Sequence, residues 1–348
     1  MQVDRLEKQE VNKMAKKSGN KKDSKNDKKR NINLAIGPDF FQENGIPFSG
    51  KRATLAAIYY SLPSNQNATG SLGSTIIAQK VIPWGENAEP RVYISPFALK
   101  RRIRDYWIRC GQKVAYREDP ELFDNKEAKS LDYIDNDLFG YMYAKESGKK
   151  ERKQSADIRH GPINTWGAVS LEALHDFVDF NTSIMNVKGK DKMGGSIFNR
   201  QISKEFYFTS FFINPDLIAV DLHNLKDKNK ESKKDIIKKK QERLKLFIEA
   251  VKYAMQKETG PRDRGKCVLL AIGISEGHYP TFDKPMLESA KVDENKVKIE
   301  IKNEEDENVH IVYYDKNFVE IKSEKGVKIS NKKEGISKVV SELVGKTM

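Results

Sequence analysis

The stretch "PRVYISPFALKRRIRDYW", residues 90–107, sets the end of a strand against the start of a helix. "RVYIS" (91–95) reads as a strand. Ser95 then supplies an N-cap side chain, and Pro96 takes the first helical position, where a missing N–H costs nothing. Leu99, Ile103 and Trp107 recur at i, i+4 and i+8, the apolar stripe of a helix that packs by one side. Lys100 and Arg104 lie on an adjacent flank with Arg101 beside them, and only Asp105 answers them locally. Two readings fit such a face. It is a solvated basic surface paired with acids from elsewhere, or a row of cations offered to an anionic ligand.

The totals favour an anionic partner. The 348 residues carry 63 Lys+Arg against 50 Asp+Glu, a formal net charge of +13, and a balance so basic most often serves nucleic acid. Residues 1–33 hold 11 basic and 5 acidic side chains, +6, in a Lys/Asn/Asp-rich stretch that reads as a disordered arm. The remaining +7 belongs to the body. Hydrophobic content of 38% and charged content of 32% suit a soluble globular chain. No apolar run approaches the ~18–20 residues of a membrane span, and no secretory h-region is present, so a cytoplasmic protein without membrane contact is expected. Cys110 and Cys267 stand far apart in no CxxC pattern and are expected as packed, reduced thiols. The 5 histidines are scattered, so no metal or cofactor is expected.

Outward from the quoted stretch, "TLAAIYYSL" (54–62) and "TIIAQKVIP" (75–83) read as strands separated by the polar loop "PSNQNATGSLG", and "WGENAEP" reads as a turn. Residues 110–160 are mixed and charged; "DNDLFGYMYA" is their one apolar block, with Asp135–Asn136–Asp137 reading as a turn start. "INTWGAVSLEALHDFVDF" (163–180) returns to strand character. Residues 181–201 then interrupt the fold with glycines, lysines and isolated large apolar residues of neither period. "EFYFTSFFI" (205–213) and "KCVLLAIGIS" (266–275) are buried strands. Between them the lysine run 226–240, read as solvated charge, leads into a helix striped by Leu244, Phe247, Val251 and Ala254. "KVKIEIK", "VHIVYY" and "FVEIK" are expected to build a small C-terminal β region, followed by the helix "GISKVVSELV". This order is compatible with a ferredoxin-like βαββαβ core carrying large insertions.

Three separated segments share the order and spacing of one family. "RVYISPFALKRRIR" (91–104) is similar to an R-x-x-[IV]-S-x-x-[AS]-[LF]-[KR]-R block. "DLFGYM" (137–142) is similar to an element in which an aspartate leads into [FL]-G-x-M, and "NRQISKEFYFTSFFINPDLI" (199–218) to the segment leaving a thumb. Over roughly residues 54–275 the chain thus resembles the DevR-type CRISPR-associated proteins (the Cas-seven superfamily), backbone subunits of type I, I-B-like, Cascade complexes. The resemblance implies an α+β fold: a ferredoxin-like or RRM-like palm with a helical finger insertion and a long β-hairpin thumb. The expected division is a basic arm (1–33), palm (34–109), finger (110–160), palm (161–180), thumb (181–203), palm (204–290) and C-terminal β region with helix (291–348). It also implies further copies of the chain in a helical filament along a guide crRNA, other Cascade subunits as partners, and target DNA paired to the exposed bases.

The site residues carry over with their roles. Lys100, Arg101 and Arg104 are implied phosphate contacts, which hold a strand without reading its sequence; Arg91 and Ser95 add weaker donors. Asn67 matches the asparagine after the first strand, although Ala68 stands where the family often has a basic residue; a turn residue satisfying its own backbone fits equally. Met142 matches the motif methionine, whose thioether inserts beside a base, and core packing is its other reading. In the thumb, Phe180, Met185, Met193, Ile197 and Phe198 are implied wedges between bases, and Lys188, Lys190, Lys192 and Arg200 grip neighbouring phosphates. The alternative is a flexible loop docking its hydrophobics on a partner.

Three rival functions have less support. An RNA-cleaving relative of the type III effectors carries a catalytic aspartate in the loop after the first strand. Here "SLPSNQNATGSLG" offers no Asp, Glu or His for acid–base or metal chemistry, so no catalytic residue is expected. A generic RRM-like RNA binder lacks its RNP aromatic consensus. A transcription regulator lacks a helix-turn-helix signal.

Overall fold

Alternation along a single strand organises both faces of the molecule. The computed structural model describes residues 36–64, 80–115, 131–144, 156–174, 177–186, 193–221, 232–256, 265–302, 307–323, 326–329 and 333–345. In chain order their elements are α1 (Pro38–Glu43), β1 (Lys51–Ser64), β2 (Val81–Trp84), β3 (Glu89–Ile94), α2 (Pro96–Arg109), α3 (Ile134–Phe139), β4 (Gly140–Ala144), β5 (Ala156–His160), β6 (Ile163–Ser170), β7 (Phe177–Asn186) and β8 (Met193–Ile213). There follow α4 (Lys233–Tyr253), β9 (Lys266–Glu276), α5 (Asp283–Ser289), β10 (Lys291–Asp293), β11 (Lys296–Ile301), β12 (Asn308–Tyr314), β13 (Val319–Ser323), β14 (Lys328–Ile329) and α6 (Lys333–Val344).

The main sheet runs β14-β12-β9-β1-β8-β6-β3-β2. Its centre, β9-β1-β8-β6, is antiparallel throughout. With α2 between β1 and β6 in sequence, and α4 between β8 and β9, this is the split βαββαβ topology of a ferredoxin-like core. The fold is α+β, as expected.

In β1, Ala53, Leu55, Ala57 and Tyr59 enter one core with Leu99, Ile103 and Trp107 of α2, Leu244, Phe247 and Val251 of α4, and Val340 and Leu343 of α6. Ala56 and Ile58 point the other way, into a second core with Phe282, Met286, Val297, Ile299 and Val319. A strand buried on both faces has no polar side, which is why "TLAAIYYSL" reads as a nearly continuous apolar run. Two polar tips anchor the helices: Tyr59 Oη donates to the Val251 carbonyl at 2.6 Å and Trp107 Nε1 to that of Leu246 at 3.2 Å.

Four expectations need correction. The C-terminal strands do not form one region. β12 joins the main sheet beside β9, whereas β10, β11 and β13 form a separate three-stranded sheet; Val312 faces the first core and Val309 and Ile311 the second, so β12 needs cover on both sides. The lysine run is partly helix: α4 starts at Lys233 under the Ser232 cap, and Lys240 is buried, donating to the Asp216 carbonyl at 2.9 Å and that of Pro47 at 3.2 Å. Asp135–Asn136–Asp137 opens α3 rather than a turn, because long-range partners hold both carboxylates. Cys110 is exposed at the C-cap of α2, where the helix reaches the surface, and only Cys267 is packed, with its thiol pushed up by burial to about 12.

β8 is long enough for two tasks. Its C-terminal part pairs with β1 from Ser203↔Ser64, across an irregularity before Glu205↔Ser61, to Ile213↔Ala53. Its N-terminal part pairs with β7 from Ile202↔Phe177 to Met193↔Asn186, a hairpin off the main path of the sheet.

Candidate nucleic-acid interface

The basic helix forms as its local chemistry dictates. Ser95 Oγ accepts from the Ala98 N–H at 3.3 Å, Pro96 follows, and Leu99, Ile103 and Trp107 are buried. Arg102 is also turned into the protein. Helical spacing leaves Phe97, Arg101, Arg104 and Ile108 in an outer row at i, i+4, i+7 and i+11, with Lys100 on its flank.

The three outer cations have different surroundings. Arg101 Nε meets Asp105 at 3.2 Å one turn on, with both side chains partly exposed; such a pair contributes little. Arg104 Nε is held at 3.0 Å by the buried Asp135, whose other oxygen accepts from the Ala115 N–H at 2.8 Å. The acid "from elsewhere" therefore exists for Arg104. Lys100 has none: among the described residues no carboxylate pairs with it. Its ammonium lies 5.0 Å from the centroid of Phe139, and Arg104 lies 5.2 Å from the same ring. Burial of the stem and the Arg104 charge lower the Lys100 pKa to about 8. Burial and a cationic neighbour both disfavour the charged form there.

"DLFGYM" docks against this helix through groups far apart in sequence. Asp137 is fully buried; its carboxylate accepts from the Ala219 N–H at 3.0 and 3.1 Å and from Arg159 at 3.0 Å, with Arg243 at 3.8 Å. Arg159 also donates to the carbonyls of Val220 at 2.8 Å and Leu217 at 3.1 Å. This cluster ties α3, β5 and α4 to the end of the third motif segment and sets Phe139 beneath the two cations. Gly140 (φ +74) then turns the chain into β4; a Cβ there would lie 2.2 Å from the Arg159 carbonyl oxygen, so the close approach requires glycine.

β4 and β5 pair Met142 with Ile158 and Tyr141 with Arg159. Met142 is 74% exposed and Ile158 45%, while Arg159 is buried. The core-packing reading of Met142 does not hold, because strand alternation gives the inner face to Tyr141 and Arg159.

The structure does not bring every expected residue here. Arg91 lies on the opposite face of β3 from Val92 and Ile94, which pack under α2. It stacks 5.6 Å over Trp84, contacts the Ser170 carbonyl at 3.4 Å and sits 3.9 Å from Glu89. Period-two geometry separates it from Lys100. The oxygen of Ser95 is engaged as the helix cap. Phe180 and Met185 lie on β7, opposite Asn199 and Gly194; Met193, Ile197, Phe198 and Arg200 lie on β8, opposite Asn186, Thr182, Asn181 and Asp179. Lys188, Lys190, Lys192 and Asn67 fall outside the described residues.

Sequence reasoning missed Phe97, Phe139 and Ile158. Phe97 was readable, since it opens the row opposite the core stripe of α2. The other two depend on pairings between elements. The face of the sheet away from the helices is occupied at its centre by α5 and the three-stranded sheet, which leaves no open RRM-like surface there. Among the described residues no three His, Cys, Asp or Glu side chains cluster as a metal site, and no helix is long and apolar enough to cross a membrane.

Comparison with known proteins adds a family and a fold. A family profile described as "CRISPR-associated negative auto-regulator DevR/Csa2" matches residues 110–296. That span includes the second and third motif segments and begins just past α2. No curated protein matches. Among solved structures, a chain of a "CRISPR RNA-guided surveillance complex" has a TM-score of 0.50 at 15% identity, covering 84% of this chain and 99% of that one. A chain of a "CRISPR RNA-guided surveillance complex, pre-nicking" has a TM-score of 0.47 at 11% identity, covering 85% and 100%. The first likeness shows a shared fold.

Proposed function

Because the chain belongs to the DevR/Csa2 family of CRISPR-associated proteins, we propose that it is a non-catalytic backbone subunit of a type I Cascade effector. In this reading copies assemble along a guide crRNA, hold its phosphates without regard to sequence, and leave bases free to pair with target DNA. The observation that carries it is Lys100: a half-buried ammonium that no carboxylate among the described residues pairs with, beside a second cation, on the flank of the outer row of α2. Phosphate supplies the missing countercharge. Met142 and Ile158 offer apolar contact on the hairpin that follows Phe139, and the β7–β8 hairpin is the wedge between successive bases.

A scaffold also fits the carboxylates. Asp135 and Asp137 are engaged by Arg104, Arg159, Arg243 and backbone N–H groups, so neither is poised for proton transfer. The test is to purify the chain with its partners, sequence the co-purified RNA and weigh the complex. Repeat-derived guides in a multi-copy particle are expected. A chain that remains solitary when offered such guides, or that cleaves target RNA when supplied with divalent metal, overturns the reading.

A further inference from the structure

Phe97 is 84% exposed, more than any other large apolar side chain among the described residues. The motif that names its neighbours leaves this position open, and the core stripe of α2 faces the opposite way. It belongs to the outer row, with Lys100 at i+3, Arg101 at i+4 and Arg104 at i+7. Lys100 and Arg101 therefore stand only about 4.5–6 Å further along the helix axis. An aromatic ring exposed at the head of a cationic row suits a ligand that is anionic along its length and carries flat apolar faces. Another copy of this chain, at a like net charge of +13, does not itself supply that anionic complement.

Building on the proposed function, we propose that Phe97 is a further strand-binding residue, its ring stacking on an unpaired nucleobase of the single strand whose phosphates Lys100 and Arg101 hold. Stacking on an aromatic side chain tolerates any base, as a scaffold for arbitrary guides requires. The division of labour follows from chemistry: cations neutralise the backbone while the ring fixes where along the strand a base rests.

The test uses the full chain, a labelled oligouridylate and a strand of equal length with abasic positions. Phe97→Ala should weaken binding to the oligouridylate about tenfold to a hundredfold without changing the slope of log affinity against log salt. The loss should shrink on the abasic strand. Phe97→Trp should restore binding, and its added emission should be quenched by the oligouridylate but not by the abasic strand. Wild-type affinity in Phe97→Ala, or an equal loss on both strands, overturns the proposal. So does an RNA-free oligomer that Phe97→Ala dissociates in sedimentation, which would assign the ring to a second copy. If the wild-type chain ignores both strands, the proposed function itself falls; if Lys100→Ala lowers the salt slope while Phe97→Ala is neutral, only the stacking inference does.

Discussion

Lys100 and Asp137 show how differently two charged residues of one region are used. Lys100 titrates near 8 because burial and Arg104 oppose its charge, well below the ordinary 10.5 of lysine. Between those values the unfolded chain holds a proton that the folded one lacks, so this residue makes stability rise with pH across that window. Below pH 8 the folded protein bears the full cost of the charge. Lys100→Met should therefore raise the thermal midpoint at pH 7 by a few degrees, with the gain shrinking as pH climbs from 8 towards 10.5. Guide binding should show the opposite preference. A phosphate favours the charged ammonium, so wild-type affinity should fall as pH passes 8, while the Met variant should bind weakly with little change there. Scanning calorimetry and titrations at several pH values check both. Asp137 has no such spare capacity. Asp137→Ala strands Arg159 without its countercharge in a dry site and should cost about 3–5 kcal/mol in chemical denaturation, whereas Arg101→Ala should stay within about 0.5 kcal/mol.

At the scale of elements, position follows from periodicity and pairing. α2 is anchored by Leu99, Ile103 and Trp107, so its outer row is presented on a fixed support rather than a loop. β8 serves the core with one part and the hairpin with the other, and its ladder with β1 begins only at Ser203. Deleting residues 185–198 should therefore leave the core folded, with an unfolding midpoint within a few degrees of the parent. In the assembled particle the same deletion should abolish regularly spaced nuclease protection of the guide. Protection that keeps its spacing would show that another element separates the bases. The sequence predicted most of these elements because period-two and period-3.6 patterns are local. It misassigned β12, whose place in the main sheet depends on the Ile274-to-Leu269 edge of β9 being open to pairing.

For the whole molecule, charge is the property that scales with assembly. Of the net +13, residues 1–33 carry +6, yet charge interactions through water are screened over about 8 Å at physiological salt. Removing residues 1–33 should cost less than about threefold in guide affinity at 0.15 M salt and more at low salt, where the Debye length grows; binding titrations at two ionic strengths check this. Much of the candidate site was legible in the row of basic residues on one helix. What was not legible is which of those cations are already paired. Arg104 finds Asp135, 31 residues away, and Asp137 finds Arg159 and Arg243, 22 and 106 residues away.

By itself the sequence determined the ferredoxin-like order of elements, the cap and register of α2, and the excess of positive charge. Each follows from backbone geometry or summed charge, which neighbours along the chain settle among themselves. Only the tertiary structure decided that no carboxylate among the described residues answers Lys100, that Met142 faces outward, and that Arg104 is already paired with Asp135. Charge compensation and exposure depend on which distant residues are brought within a few ångströms, and no local pattern encodes that distance.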